Sequence, residues 1–169
     1  SGMLLGLFEN GGVYNHCNAF KIMADCRLGR AEQALSTLHK MIPDSKDNPV
    51  SITGAEPYLF VNCWCMHPSF FTRIWFGWFT GTSAWALRGF YEGICGLRRE
   101  YGGLRVQPCI PGAWKELTLT RTFRGCRYHI HISNTGSGKP EVTVDGNRLA
   151  DTLLPVLNDG QIHEVVVRT

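Results

Sequence analysis

The chain has 169 residues, of which 44% are hydrophobic and 18% charged, with a formal net charge of +3. This is ordinary globular composition, sufficient for one domain or two small ones. The weak charge and scattered basic residues argue against a nucleic-acid partner, and no apolar stretch reaches the roughly 18 residues of a membrane-spanning helix. Cysteines at positions 17, 26, 63, 65, 95, 109 and 126 follow no regular spacing and read as reduced thiols of a cytoplasmic protein. No signal-peptide pattern is visible. Ser1-Gly2-Met3 leads directly into the glycine-rich Glu9-Asn10-Gly11-Gly12, which suggests a start in the middle of a larger protein or a cloning remnant on a small one.

Over residues 15–28, Phe20, Met23, Ala24 and Leu28 recur at helical steps, with Gly29 at the C-cap. Ala31, Ala34, Leu35, Leu38 and Ile42 keep that period in a second helix that Pro43 stops. Residues 44–51 read as a polar loop. Thr53-Gly54-Ala55-Glu56 then matches a capping box for a third helix over about 58–65. After an aromatic run, Ala84, Leu87, Tyr91 and Ile94 mark a fourth helix ending at Gly96, so two antiparallel helical pairs are expected. Beyond Gly102-Gly103 the period changes from about 3.6 to 2. Leu117, Leu119, Arg121 and Phe123 alternate with threonines, and Tyr128, Ile130 and Ile132 share a face after Arg124-Gly125, a hairpin signal. Residues 141–144, the Asp145-Gly146 turn and residues 162–167 add strands. The expected fold is mainly α followed by β: a helical portion over 1–103 and a small antiparallel β-sandwich domain over 104–169.

Thr80-Gly81-Thr82-Ser83-Ala84-Trp85 opens the fourth helix. Gly81 permits close backbone approach, and Thr82 or Ser83 can cap the helix, so the segment suits either an anion site or an ordinary capped start. His16 follows a glycine-rich loop and is either an anion partner or a hydrogen-bonded structural residue. Glu9, in that loop, is either a solvated carboxylate or a site residue. Cys63, Cys65 and His67 have soft-metal character but lack a fourth ligand and a second pair, so buried helix cysteines are expected and no metal. His129 and His131 read as a solvated strand face. No carboxylate pair, nucleophile elbow or Walker loop appears.

Five segments in order carry a family resemblance: residues Phe8-Glu9-Asn10-Gly11-Gly12-Val13-Tyr14-Asn15-His16; Gly54-Ala55-Glu56-Pro57-Tyr58; Thr80-Gly81-Thr82-Ser83-Ala84-Trp85; Gly103-Leu104-Arg105-Val106-Gln107-Pro108-Cys109-Ile110-Pro111; and Phe123-Arg124-Gly125. The chain resembles the C-terminal part of the cellobiose and chitobiose phosphorylase family, glycoside hydrolase family ninety-four. Collinearity over nearly the whole chain makes this more specific than any one segment. The resemblance implies the last helices of an (α/α)6 barrel plus a C-terminal β domain. It implies cytoplasmic enzymes that cleave β-linked disaccharides or oligosaccharides with inorganic phosphate, inverting the anomeric centre to give an α-sugar 1-phosphate.

On that resemblance His16, Thr80, Gly81 and Asn62 match phosphate-holding positions, and Glu9 matches an acceptor-sugar position. Phe8 stands where cellobiose-specific members often have lysine. The general acid, an aspartate upstream of the histidine motif, is expected outside this chain, which is then a fragment inactive alone, with the missing N-terminal part as its partner. No cofactor is implied, because inorganic phosphate is a substrate, and many relatives are homodimers. The competing readings are a noncatalytic carbohydrate-binding or structural module, whose aromatic run stacks sugars, and the phosphorylase-like module of a cyclic glucan synthase.

Overall fold

A computed structural model describes residues 3–43 and 45–169. Ser1, Gly2 and Asp44, the first residue of the expected loop, lie outside the described residues. The chain divides into two compact units, Ser1–Phe90 and Tyr91–Thr169, with helices predominating in the first and sheets in the second.

In the first unit, strand β1 (Val13–Tyr14) runs directly into helix α1 (Asn15–Arg27), and α2 (Ala31–Met41) follows. The link between the helices is a Schellman turn. Gly29 has φ of 71°, its N–H reaches the Cys26 carbonyl, and the Arg30 N–H reaches that of Asp25. The helical period of α1 is as expected, but the buried face is not. Asn15, Ala19, Ile22 and Asp25 are buried, whereas Phe20 and Leu28 are exposed. The small residues Ala19, Ala31 and Ala34 let the α1 and α2 backbones approach, and Lys21 on α1 reaches both Asp25 (2.6 Å) and the Thr37 hydroxyl of α2 (2.9 Å).

The third helix expected over 58–65 is absent. Thr53 instead ends the short helix α3 (Val50–Thr53), with Gly54 at φ of 70° as its C-cap. The Thr53 hydroxyl donates back to Pro49 O and accepts the Ala55 N–H, both at 3.2 Å. The capping box thus terminates a helix rather than starting one, and Pro57 holds Glu56 away from helical geometry. Strands β2 (Cys63–Trp64) and β3 (Ile74–Trp75) complete an antiparallel sheet in the order β1-β2-β3. Ala55, Leu59, Val61 and Trp64, with Ile74, form its apolar core. Helix α4 (Thr82–Arg88) packs on α1 and passes into a π-helical turn, Gly89–Ile94.

In the second unit, β4 (Leu97–Glu100), β5 (Gly103–Val106) and β10 (Leu153–Leu154) form one sheet in the order β10-β5-β4. Five further strands, β6 (Glu116–Phe123), β7 (Cys126–Ser133), β8 (Glu141–Val144), β9 (Asn147–Arg148) and β11 (Ile162–Arg168), form a sheet ordered β6-β7-β11-β8-β9. The β6–β7 hairpin has the expected alternation, with Tyr128, Ile130 and Ile132 inward. The sheet is not wholly antiparallel, because β11 pairs with β7 in parallel. Val142, Val144, Val165 and Val167 complete the buried face.

One polar residue interrupts that apolar row. His163 is 7% exposed, with Nδ1 2.8 Å from Asp145 and Nε2 3.1 Å from Asp159. These carboxylates lie in the turns before β9 and before β11, and the Tyr128 ring lies 5.8 Å away. Hydrogen bonds that the ring donates to Asp145 and then to Asp159 hold the imidazole above its usual pKa, and both carboxylates are held below theirs.

Two measurements follow from this packing. Gly96 has φ of 70°, and a Cβ there would strike the Gln107 carbonyl, whereas Gly138, at φ of 69°, has open space around it. Gly138→Ala is expected to cost about 1–2 kcal/mol for the left-handed backbone alone, and Gly96→Ala clearly more, in urea unfolding; equal costs would show that the Gln107 contact relaxes freely. The second concerns pH. Protonated His163 gains two carboxylates on folding, so its contribution is complete below about pH 6.5 and disappears as pH rises through its raised folded value, while the carboxylates' share disappears at acid pH through their lowered values. His163→Gln is therefore expected to lower the thermal midpoint more at about pH 6 than at about pH 9, and a pH-independent loss would remove charge from the explanation.

Candidate functional site

Three separate segments of the first unit converge on the Thr80 hydroxyl. Its oxygen accepts the Thr82 backbone N–H at 3.1 Å and the Asn62 side-chain amide at 3.2 Å. It also lies 2.8 Å from the Thr82 hydroxyl and 3.4 Å from His16 Nε2. A hydroxyl has one proton and two lone pairs, so its two lone pairs are taken and its proton serves either Thr82 or His16.

The scaffold behind this cluster is backbone hydrogen bonding. Asn15, fully buried, donates its side-chain amide to Val61 O (3.0 Å) and its backbone N–H to Asn62 O (2.8 Å). The Asn62 N–H in turn reaches Phe76 O at 2.8 Å. The first residues of α1 are thereby tied to the segment entering β2, which sets His16 opposite Asn62. The Tyr14 ring meets the His16 ring edge-on, with centroids 4.7 Å apart.

The helix cap differs from expectation. Gly81 is the N-cap residue and makes no side-chain cap; the Thr80 hydroxyl satisfies the Thr82 N–H instead. Thr82 is completely buried and so serves the cluster rather than the surface. Gly81 adopts φ of −81°, which any residue can take, and a Cβ there would lie in van der Waals contact with His16, 3.4 Å from Nε2. Glycine leaves that edge of the ring open. Ser83 and Ala84 begin the first turn of α4, where N–H groups have no intrahelical acceptor.

His16, Asn62, Thr80 and Gly81, all singled out in the sequence, are thus brought together. Asn15 and Thr82 join them without having been singled out. Asn15 lay inside the Tyr14-Asn15-His16 run, but its reach across to Val61 is a tertiary contact that local pattern does not report. Glu9 sits at the exposed tip of a loop closed by hydrogen bonds from Gly6 to Asn10 O (2.6 Å) and from Gly12 to Phe8 O (2.9 Å). Among the described residues no hydrogen bond joins it to the Thr80 cluster. Its charge is nevertheless felt beside Asn62: the Cys63 thiol is pushed up to about 11, chiefly by burial, then by Cys65, with Glu9 adding to the rise.

The aromatic run forms the neighbouring surface. Phe8 packs against Trp75 at 5.0 Å and Phe76 at 5.6 Å. Trp78 donates its indole N–H to Glu56 at 3.2 Å, and it and Phe79 are 68% and 89% exposed. Cys63 and Cys65 are buried as expected, on and beside a strand rather than a helix, and His67 Nδ1 is occupied by the Ser69 N–H at 3.2 Å. Among the described residues no group of three or more His, Cys, Asp or Glu side chains could hold a metal ion. Nor is any helix long and apolar enough to cross a membrane. His129 and His131 lie on the outer face of β7, flanking Glu164 at 3.1 and 3.5 Å.

Comparison with known proteins agrees with the order of the motifs. Residues 1–96 match the glycosyl hydrolase 94 superfamily, catalytic domain, and residues 97–149 match the glycosyl hydrolase family 65, C-terminal domain. The chain is 37% identical, over 99% of its length, to the solabiose phosphorylase of Paenibacillus borealis. It is 35% identical over 98% to the 3-O-beta-D-glucopyranosyl-beta-D-glucuronide phosphorylase of the same organism, and 32% identical over 83% to the N,N'-diacetylchitobiose phosphorylase of Vibrio furnissii. It spans 22%, 22% and 18% of the lengths of those three proteins. With more than half of its residues inside the catalytic-domain match, the chain belongs to the glycosyl hydrolase 94 superfamily.

Proposed function

We propose that these residues form the C-terminal part of an inverting glycoside phosphorylase that cleaves a β-linked disaccharide or oligosaccharide with inorganic phosphate, giving an α-sugar 1-phosphate. The observation that carries the reading is the convergence of His16, Asn62 and Thr82 on the Thr80 hydroxyl, a cluster of neutral hydrogen-bonding groups that contains no carboxylate. Such a cluster suits a phosphate dianion, which would take over hydrogen bonds now crowded onto one oxygen. In phosphorolysis, a phosphate oxygen forms the new bond to the anomeric carbon as the glycosidic C–O bond breaks on the opposite face. The departing oxygen keeps the bonding electrons and takes a proton from one acid. Phosphate is already nucleophilic, so no second carboxylate is needed to activate it, unlike the water of an inverting hydrolase.

His16, Asn62, Thr80 and Gly81 hold and align the phosphate in this reading, and Glu9 contacts the acceptor sugar. The acid comes from residues beyond these 169, which accords with the chain spanning 22% of its solabiose-cleaving relative. The helices of the first unit are then the last of an (α/α)6 barrel, the second unit is a β-sandwich, and the enzyme works in the cytoplasm without a cofactor. Differing sugars in the relatives' names leave the acceptor open.

The test is phosphate release from α-glucose 1-phosphate with glucose, cellobiose, gluconate or N-acetylglucosamine as acceptor, using this chain and a version extended upstream. Only the extended version is expected to turn over; release by the 169 residues alone would place the acid among them. In the active version Thr80→Val and His16→Ala are expected to lower kcat/KM for the sugar phosphate by about 10²-fold or more, the scale of losing one oxyanion donor. Glu9→Gln is expected to raise the acceptor KM instead. An unchanged phosphate dependence in both of the first variants would remove the assignment. The exposed Trp78 and Phe79 favour a second reading, a noncatalytic sugar-binding module. In that case the chain would bind oligosaccharide alone, and Trp78→Ala, not Thr80→Val, would abolish binding.

A further inference from the structure

The second unit contains a cationic cleft that phosphorolysis does not use. Arg99 and Tyr101 reach it from the β4–β5 hairpin, and Arg121 and Arg124 from the β6–β7 hairpin, around a cavity of about 600 Å³. One carboxylate, Glu100, also lines it, but Arg105 grips that group through Nε at 2.6 Å and Nη2 at 3.0 Å, and this hydrogen bonding holds the carboxyl below its ordinary pKa. Arg99, itself exposed, stands 4.0 Å from the largely buried Glu92, a loose pair. The remaining two guanidinium groups have no carboxylate partner among the described residues.

Arg121 lies with its guanidinium 5.7 Å over the Tyr91 ring, and its Nε is buried with no acceptor. A buried N–H left unpaired is costly, which sets Arg121 apart from the fully paired Arg105. Arg124 occupies the Arg124-Gly125 turn at φ of 42°, a position where asparagine or glycine is favoured. Its Nη1 donates to the Tyr101 backbone carbonyl at 2.6 Å, and Tyr101 is itself 98% exposed.

We propose that this cleft binds a phosphomonoester, with the phosphate oxygens on Arg121, Arg124 and Arg99 and the organic part against the Tyr101 ring. Guanidinium groups offer paired planar donors that match phosphate oxygens, and three of them suit a dianion better than a singly charged carboxylate. The aromatic face supplies stacking area for a sugar. The site is independent of the His16–Thr80 cluster, since every residue in it belongs to the second unit.

The 169-residue chain is titrated at low salt with inorganic phosphate and, separately, with α-glucose 1-phosphate, following backbone amides by NMR. Saturable shifts are expected at residues 99–101 and 121–125 with both ligands, tighter with the sugar phosphate. Affinity is expected to fall at least tenfold in Arg121→Gln and in Arg124→Gln, and Tyr101→Ala is expected to remove only the preference for the sugar phosphate. A double variant, His16→Ala with Thr80→Val, is expected to leave these shifts intact, so failure of the first unit's site and failure of this one are separable. Arg124 is exposed on a turn, so its variant decides the matter if Arg121→Gln disturbs the fold. No saturable shift at these amides, or unchanged affinity in Arg124→Gln with a well-dispersed spectrum, would overturn the proposal.

Discussion

One oxygen atom organises the first unit's site. Thr80 Oγ1 is met from three directions, by groups 2, 18 and 64 residues away in sequence. The Thr82 contact is local, but the approach of His16 to Asn62 rests on the Asn15 bonds to Val61, 46 residues away, and to Asn62, which tie the start of α1 to the approach to β2. An unpaired polar group at a fully buried position such as Asn15 would be costly, so the same bonds that satisfy its amide also set the spacing of the cluster. Stability and site geometry are here one constraint.

Much of this was legible in the chain, and the limits of legibility have physical causes. Period and punctuation located α1, α2 and α4, because Gly29 and Pro43 act on the backbone whatever surrounds them. Period did not identify the buried face of α1. Phe20, Met23, Ala24 and Leu28 make the more apolar stripe, yet the face that packs carries Ala19 and Ile22 with two polar residues, since close helix approach favours small side chains over large ones. Thr53-Gly54-Ala55-Glu56 misled because a hydroxyl can bond the backbone at either end of a helix, and only the left-handed Gly54 distinguishes them. The β6–β7 hairpin was readable from its alternation on either side of Arg124-Gly125, and that two-residue turn fixes the observed pairing of Phe123 with Cys126. The parallel pairing of β7 with β11 was not, because alternation records which face a residue occupies and not which way the neighbouring strand runs.

The second unit shows the same tension between apolar pattern and polar exceptions. His163 takes an inward position in a row otherwise filled by Val165 and Val167, and it is tolerated there because two turn carboxylates reach both ring nitrogens. Those carboxylates sit in Asp-Gly turns whose sequence already marks them as turns. The clamp therefore joins two loops whose positions the ladder alone would leave to the strand ends. Arg121 is the opposite case, an inward-leaning cation with no such clamp, and its unpaired Nε sets it apart from the satisfied charge of Arg105 nearby.

On the proposed assignment, phosphate and acceptor are held by parts of the fold with different tolerance for change. The phosphate side is secured largely through backbone atoms: the N–H and carbonyl of Asn62 and the N–H groups of Asn15 and Thr82. The acceptor side is a loop whose shape is likewise set by backbone bonds, from Gly6 to Asn10 and from Gly12 to Phe8, with Glu9 exposed at its tip and Phe8 held at φ of 45°. Phe8 packs on Trp75 and Phe76 rather than on the Thr80 cluster. A substitution at the exposed Glu9 would accordingly alter the surface offered to a sugar, whereas one at Phe8 would also reach Phe76, whose carbonyl holds the Asn62 N–H.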